Sequence, residues 1–228
     1  FTVFILSLGI VVSAQEHTRK DSLRGSLTSL RTCYDVIFYD LFLVIDDQNK
    51  SIKDSYNEIH FLALENFNKI QIDLVKEMQI NSIEFEEEEL NYTREFGAIF
   101  IVFPRTIIMG ELSRIKVYYE GSPRSAVNPP WDGGFSWDKD SLNNPWIGVS
   151  CQGLGASSWW PCKDHQSDEP DSMRITCSVR SPLSVVSNGN LIKEYLVWNK
   201  DLDSWMNQRE WFVSYPINNY NISVQIGH

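Results

Sequence analysis

The residues of this chain that could do chemistry are concentrated in one segment, Ser150–Pro170. Four of its side chains are of types that bind metal ions: Asp164, His165, Asp168 and Glu169. Their spacing, however, supplies no second group that would orient a metal ligand. We therefore interpret them as parts of a hydrogen-bonded surface loop rather than as a metal site.

The same segment contains residues that shape the backbone. Gly153 and Gly155 allow a sharp turn or a close approach to another group, because glycine has no side chain. Trp159-Trp160-Pro161 is predicted to form a large apolar anchor. Gln152 follows a strand pattern and offers a side-chain carbonyl that accepts hydrogen bonds. Taken alone, Gln152 is best interpreted as a strand-end glutamine bonded to a neighbouring backbone group.

The motifs of self-contained hydrolases and nucleotide-binding enzymes are absent from the sequence. It contains no H-E-x-x-H, no G-x-S-x-G and no glycine-rich phosphate-binding loop. Its four histidines, at positions 17, 60, 165 and 228, include no pair at helical spacing. We therefore expect neither a catalytic residue nor a metal ligand in this chain.

The cysteines also fit no zinc site. Their separations match no paired spacing of the kind that binds zinc: Cys33, Cys151, Cys162 and Cys177. In an exported protein they could form disulfides, in any of three pairings that the sequence does not distinguish. We favour the interpretation that they are buried thiols.

Composition excludes some partners. The net charge of −10 disfavours a nucleic-acid partner and an anionic membrane surface, because both require clustered Lys and Arg. Hydrophobic residues make up 43% and charged residues 22%, which is typical of a folded globular chain and not of a disordered one.

Strand patterns separated by turns dominate from Tyr34 onward. They predict an all-β fold of the sandwich or barrel kind. The strands are expected near 34–45, 51–62, 69–75, 80–85, 98–103, 115–119, 146–150, 174–179, 183–187, 211–215 and 222–226. A turn is expected at Ser187-Asn188-Gly189-Asn190.

Two segments interrupt this pattern. The five glutamates of Glu84–Glu89 are interpreted as a solvated strand edge or loop, since charge on an edge prevents unwanted pairing. Gly121–Pro145 is rich in Pro and Gly, which argues against regular structure, yet it contains Trp131 and Trp137. We expect a long loop that is ordered by its tryptophans, and such loops are often functional.

The two ends of the chain suggest three regions. Residues 1–14 are an apolar run that ends in small residues, which indicates the remnant of a signal peptide and an exported protein. This run is shorter than the roughly 20 apolar residues of a membrane span. Residues 15–33 are a polar arm, either loose or a short helix, and 34–228 form the β domain. The strand pattern at His228 stops without a cap, so the chain is interpreted as a fragment.

The order of motifs resembles the aminopeptidase-N and leukotriene-hydrolase family of zinc peptidases. The resemblance rests on Cys151-Gln152, a stretch of small residues, Trp160-Pro161-Cys162-Lys163-Asp164 and Asp168-Glu169-Pro170. The first strand, its return at Glu58–Phe61 and Ser187-Asn188-Gly189 are also similar to that family's amino-terminal domain. The insertion Asn128–Gly134 resembles a Bacteroidetes-like secreted branch.

The resemblance implies a fold and a role. It implies a large, saddle-like, antiparallel β domain that closes one side of the substrate cleft of a zinc aminopeptidase. Zinc would be held by two His and one Glu that lie beyond His228, so the chain itself would hold no cofactor. Peptide substrate would meet this domain at Gln152, whose side chain would accept a hydrogen bond from the substrate's α-ammonium group.

Two features depart from the family pattern, and two other functions stay open. The loop between Cys162 and Pro170 is longer than usual, and Asp54 stands where a turn glycine is common. A secreted β-sandwich binding module, for carbohydrate or adhesion, would explain the tryptophans at 131, 137, 159 and 160 as sugar-stacking residues. A relative without peptidase activity would use the same fold as a scaffold.

Overall fold

The structure is a computed structural model that describes residues 17–228. Two short helices come first, α1 (Arg19–Gly25) and α2 (Ser29–Thr32). The strands that follow are β1 (Tyr34–Asp46), β2 (Ser51–Ala63), β3 (Phe67–Asp73), β4 (Met78–Phe85), β5 (Glu88–Glu89), β6 (Tyr92–Glu95), β7 (Ala98–Ile107), β8 (Leu112–Gly121), β9 (Gly134–Lys139), β10 (Pro145–Ser150), β11 (Ser172–Arg180), β12 (Ser184–Ser187), β13 (Asn190–Asn199), β14 (Ser204–Val213) and β15 (Val224–Gly227). The predicted signal-peptide remnant lies outside the described residues.

The strands form three sheets, which confirms the predicted all-β fold. The largest has the order β13-β14-β11-β1-β2-β8-β4-β5, the second β12-β15-β10-β9 and the third β3-β7-β6. All neighbours are antiparallel except β1 and β11, which run parallel from the Phe38–Ser172 pair to the Ile45–Val179 pair. Strand β8 already runs in the direction of β1, and the chain passes through β9 and β10 of the second sheet before β11 joins the other side of β1 in the same direction. The predicted fold of mainly antiparallel strands is therefore confirmed, with one parallel pair within it.

A β-bulge sets which face of β1 enters the core. Strict alternation would place Phe38 on the same face as Val36. The pairing with β2 skips Ile37, and from Tyr39 onward the alternate side chains point inward. Tyr39 and Leu41 are therefore fully buried, while Asp40 and Phe42 between and beyond them are only half-buried.

A second irregularity explains the departure noted at Asp54. The register of β2 shifts between Ile52 and Ser55, and Asp54 has a φ of 42°. Glycine enters this left-handed region without strain, and aspartate enters it more readily than most other residues. Asp54 therefore adopts the same left-handed backbone conformation that a glycine would adopt at this position.

The segment 121–145 contains more regular structure than its composition predicted. Strand β9 pairs with β10 across a short turn, and Phe135 within it is buried. Trp137 stacks on Phe135 with ring centroids 5.1 Å apart, so this tryptophan does order the segment. Trp131 does not, because it is 79% exposed. The prediction of a loop ordered by both tryptophans was wrong for Trp131.

The acidic run lies at the edge of the largest sheet, as predicted. Glu84 pairs with Glu89 in the short hairpin of β4 and β5, and Glu86 and Glu87 form its turn with positive φ. Arg105 donates to Glu86 and to Glu111, so part of the charge is neutralised by an exposed ion-pair network. The run is a solvated edge.

Strand β13 was not predicted, because it is exposed on both faces and shows no alternation of buried and exposed residues. Among the described residues no strand pairs with its outer edge. Leu196 and Trp198 project from it, and Trp198 packs edge-on against Trp205 of β14. An exposed apolar edge of this kind is a site for strand-to-strand association.

The isolated chain is accordingly expected to self-associate, and Leu196→Lys to reduce this association because a lysine on an edge strand opposes pairing. Sedimentation velocity measures the effect. Leu112→Lys is the matched control, since Leu112 is also exposed but lies on β8, which has neighbours on both sides. Equal suppression by both lysines would mean that exposed apolar surface in general, and not the edge of β13, governs association.

Candidate functional site

The turn that carries Gln152 follows β10. The carbonyl oxygen of Cys151 accepts from the backbone nitrogens of Leu154 and Gly155, each at 2.9 Å. Gly153 and Gly155 have φ values of 70° and 80°, in the left-handed region that favours glycine. The sharp turn predicted from these two glycines is confirmed.

The Asp164 carboxylate lies directly beneath this turn. It accepts from the backbone nitrogen of Ser157 at 3.0 Å and from its hydroxyl at 2.6 Å. A Cβ atom on Gly155 would collide with the same carboxylate, which leaves room only for glycine. Asp164 therefore holds the turn in place.

A buried ion pair supports Asp164 in turn. Arg31 of α2 donates to Asp73 Oδ2 at 2.6 Å, and the Asp164 backbone nitrogen donates to the same oxygen at 3.2 Å. Gln71 donates to the second Asp73 oxygen at 2.9 Å. Burial raises the pKa of Asp73 to about 6, although Arg31 and Gln71 act in the opposite direction. Arg31 also donates to the carbonyls of Arg24 and Ser26, so it ties the described part of the polar arm to the domain.

The segment from Pro161 to Asp168 is held by buried polar contacts. Lys163 contacts Asp168 at 2.8 Å and the Tyr34 carbonyl at 2.7 Å. Asn57 donates to the Pro161 carbonyl, and Asn219 to that of Lys163. Burial raises the pKa of Asp168, and Lys163 acts in the opposite direction.

The four candidate metal ligands are therefore dispersed. Asp164 bonds to the turn, His165 bonds to the Ser167 hydroxyl, and Glu169 is exposed. Asp168 is buried, so the interpretation of a purely surface loop was wrong for that residue. Within residues 17–228, no three His, Cys, Asp or Glu side chains lie together in a group that could hold a metal ion.

The paired tryptophans anchor this segment between two sheets. Trp160 contacts Tyr39 of the largest sheet edge-on, with centroids 5.1 Å apart, and Trp159 contacts Phe135 of the second sheet at 5.9 Å. Both tryptophans are buried, at 0% and 1% exposure. They confirm the predicted anchor, and they cannot stack on a sugar. Two of the four tryptophans that motivated a carbohydrate-binding module are therefore core residues.

The cysteines are buried free thiols, as predicted: Cys33, Cys151, Cys162 and Cys177. Burial raises the pKa of both Cys33 and Cys151 to about 11. A thiol with so high a pKa is a poor nucleophile at neutral pH.

Gln152 itself is exposed, in contrast to the buried network that holds its turn. Its Oε1 accepts from the Tyr220 hydroxyl at 2.8 Å. Tyr220 lies on a short 3₁₀-helix, Asn219–Asn221, where the Asn218 side chain accepts from its backbone nitrogen. A carbonyl oxygen has two lone pairs, so one remains for a second donor. The side chain thus bonds to a side chain and not to a neighbouring backbone group.

A shallow cavity of about 360 Å³ opens in front of Gln152. Its lining includes Tyr220, Ser150, Pro130 and Trp131. Sequence analysis noted Trp131 without linking it to Gln152, and it missed Tyr220. Nothing in the local sequence pattern pairs residues that are so far apart along the chain.

A larger cavity, of about 740 Å³, lies across β2 and β8, away from Gln152. Three of its ionisable groups contact one another, since His60 contacts Glu58 at 2.8 Å and Arg114 lies 3.6 Å from the same carboxylate. This cavity does not include Gln152, the residue that the resemblance assigns to substrate. The cavity at Gln152 is therefore the better candidate.

Comparison with known proteins gives matches in structure only. No protein-family model matches the chain, and no curated protein does. Among solved structures, an M1 zinc metallopeptidase of Deinococcus radiodurans superposes with a TM-score of 0.69 at 17% identity, over 86% of this chain and 43% of its own length. Leukotriene A4 hydrolase of Saccharomyces cerevisiae superposes with a TM-score of 0.64 at 15% identity, over 93% and 32%.

The chain thus spans less than half of the length of these enzymes. No helix among residues 17–228 is long and apolar enough to cross a bilayer. The fold expected from the order of motifs is confirmed: the chain has the fold of the amino-terminal β domain of the M1 zinc metallopeptidases.

Proposed function

We propose that this chain is the amino-terminal substrate-cleft domain of a zinc aminopeptidase that removes the first residue from peptides. The observation that carries the proposal is the Gln152 side chain, which is exposed at a cavity while a buried network fixes the turn beneath it. A rigid support for an exposed acceptor is the arrangement that a binding site requires.

In this proposal Gln152 recognises the amino terminus of the substrate. Its Oε1 accepts one hydrogen bond from Tyr220, which fixes the orientation of the amide, and accepts another from the substrate's α-ammonium group. A hydrogen bond to a charged donor is roughly twice as strong as one between neutral groups. The contact would restrict cleavage to peptides with a free amino terminus.

The zinc would come from a part of the protein outside these 228 residues. The similar Deinococcus enzyme is more than twice as long as the region that this chain matches, and one of its structures is bound to a Tyr-Ser-Ala substrate. When bound, the zinc would activate the water that attacks the peptide. The residues of this chain would bind and orient the substrate.

The isolated chain is therefore expected to bind no zinc stoichiometrically and to cleave no aminoacyl substrate. The full-length protein should do both. Metal analysis by mass spectrometry and an aminoacyl-anilide assay on the two purified proteins test the proposal. One tightly held zinc in the isolated chain, or a full-length protein that is inactive on every aminoacyl substrate, would contradict it.

We also propose that the protein is exported, on the basis of the apolar run in residues 1–14. Amino-terminal sequencing of the mature protein checks this. A mature chain that retains the whole run would contradict export through a cleaved signal peptide.

A further inference from the structure

Trp131 is held at the surface by an unusually well-fixed loop. The indole of Trp131 is 79% exposed, although burial of so large an apolar side chain in the core would stabilise the fold. The adjacent Asp132 carboxylate accepts from the backbone nitrogen of Val127 at 2.8 Å and pairs with Arg124 at 2.8 Å. Arg124 also donates to the Gly133 carbonyl at 2.7 Å. The exposure of Trp131 is therefore not the result of a loose loop.

The same loop packs against the turn that carries Gln152. A Cβ atom at Gly133 would lie only 2.5 Å from the Gln152 carbonyl oxygen, so the two backbones are in direct contact. The Ser150 hydroxyl donates to the Pro130 carbonyl at 2.9 Å. These contacts fix the position of Trp131 relative to Gln152.

Trp131 and Gln152 line one cavity. In an amino-terminal residue, the α-ammonium group and the side chain are both attached to Cα. A substrate whose ammonium group bonds to Gln152 must therefore begin its side chain within a few ångströms of that bond. An indole on the wall of the same cavity is placed to meet this side chain.

We propose that Trp131 is a specificity-determining residue, an aromatic wall that contacts the side chain of the substrate's first residue and favours large apolar or aromatic ones. The inference rests on the proposed function. An aromatic surface gains from burial of apolar area and from ring contacts, and neither is available to a small side chain such as that of alanine.

The experiment uses the full-length enzyme with leucine, phenylalanine and alanine anilides. Trp131→Ala is expected to lower kcat/KM by roughly tenfold on the leucine and phenylalanine substrates and to leave the alanine substrate nearly unchanged. Trp131→Phe should retain most of the preference. Val127→Ala is the matched control, because Val127 is 85% exposed in the same loop but does not line the cavity. Val127→Ala should leave kcat/KM unchanged on all three substrates.

Equal losses on all three substrates would overturn the inference, because Trp131 would then act on the fold or on contact with another part of the protein. An active parent enzyme that is insensitive to Trp131→Ala would also overturn it, and would leave the proposed function intact. A parent enzyme that is inactive on all three substrates would instead overturn the proposed function, and the inference with it.

Discussion

If the proposed function holds, Gln152→Ala in the full-length protein is expected to lower kcat/KM for substrates with a free amino terminus, by about 1.5–3 kcal/mol, the range for a hydrogen bond to a charged group. Folding and zinc content should not change, because the side chain is exposed and its only described partner is the Tyr220 hydroxyl. Steady-state kinetics on aminoacyl anilides measures the loss.

Gln152→Glu should retain much of the activity, since a carboxylate accepts from an ammonium group and from the Tyr220 hydroxyl at least as well. Tyr220→Phe should cause a smaller loss, because it removes only the bond that orients the amide. Gln166→Ala is the matched control: Gln166 is an exposed glutamine of the same segment, but it does not line the cavity.

The decisive comparison is between free and blocked substrates. Substrates with a blocked amino group should be poor for the parent enzyme and should lose little more in Gln152→Ala, since they lack the charged donor. Equal losses on both kinds of substrate would mean that Gln152 is a structural residue of the turn.

Arg31→Met is expected to lower the free energy of unfolding of the β domain by about 3–5 kcal/mol, the cost of leaving one member of a buried ion pair without its partner. Arg31 is fully buried, and its 2.6 Å contact with Asp73 is the centre of the network beneath Gln152. Urea unfolding followed by tryptophan fluorescence measures the change.

The double variant Arg31→Met/Asp73→Asn should recover part of this loss, because it removes the uncompensated charge. Arg19→Met should show no measurable change, since the Arg19–Glu95 pair is exposed to solvent. A double variant no more stable than Arg31→Met would mean that the charge of Asp73 is not the cause of the loss.

The loss in Arg31→Met should also depend on pH. The pKa of Asp73 is already about 6 in the folded parent, and removal of Arg31 raises it further. A folded-state pKa above the unfolded value means that the folded protein binds the proton more tightly. The contribution of Asp73 to stability is then present at low pH and falls as pH rises through the folded-state pKa. Relative to the parent, Arg31→Met should accordingly lose less free energy of unfolding at pH 5 than at pH 8. An equal loss at both pH values would mean that Asp73 is not the group responsible.

The sequence alone determined the class of fold and most of its strands. The aromatic and β-branched residues of β1, the turn at Gly189, the acidic edge at Glu84–Glu89 and the buried tryptophan anchor are all local properties. Each depends on residues that are close along the chain, where the periodicity of a strand and the conformational freedom of glycine act directly. The order of motifs around Gln152 predicted the fold that the structure shows.

The strands β9 and β13 could be recognised only from the tertiary structure. Strand β9 follows a segment rich in Pro and Gly, and its pairing with β10 outweighs that composition. Strand β13 buries neither face, so it lacks the alternation by which a strand is recognised, and only its pairing with β14 defines it. The parallel pairing of β1 with β11 likewise depends on the path of the chain through β9 and β10 of the second sheet.

The candidate site was decided almost wholly by tertiary contacts. Gln152 and Tyr220 are 68 positions apart, and Arg31 and Asp73 are 42 apart. The sheets bring together segments that are distant along the chain. Those contacts decide whether an exposed tryptophan such as Trp131 faces a cavity. They also decide whether a carboxylate such as Asp164 supports a turn or binds a metal. Local patterns carry no information on such contacts, because a hydrogen bond or an ion pair requires proximity in space and not in sequence.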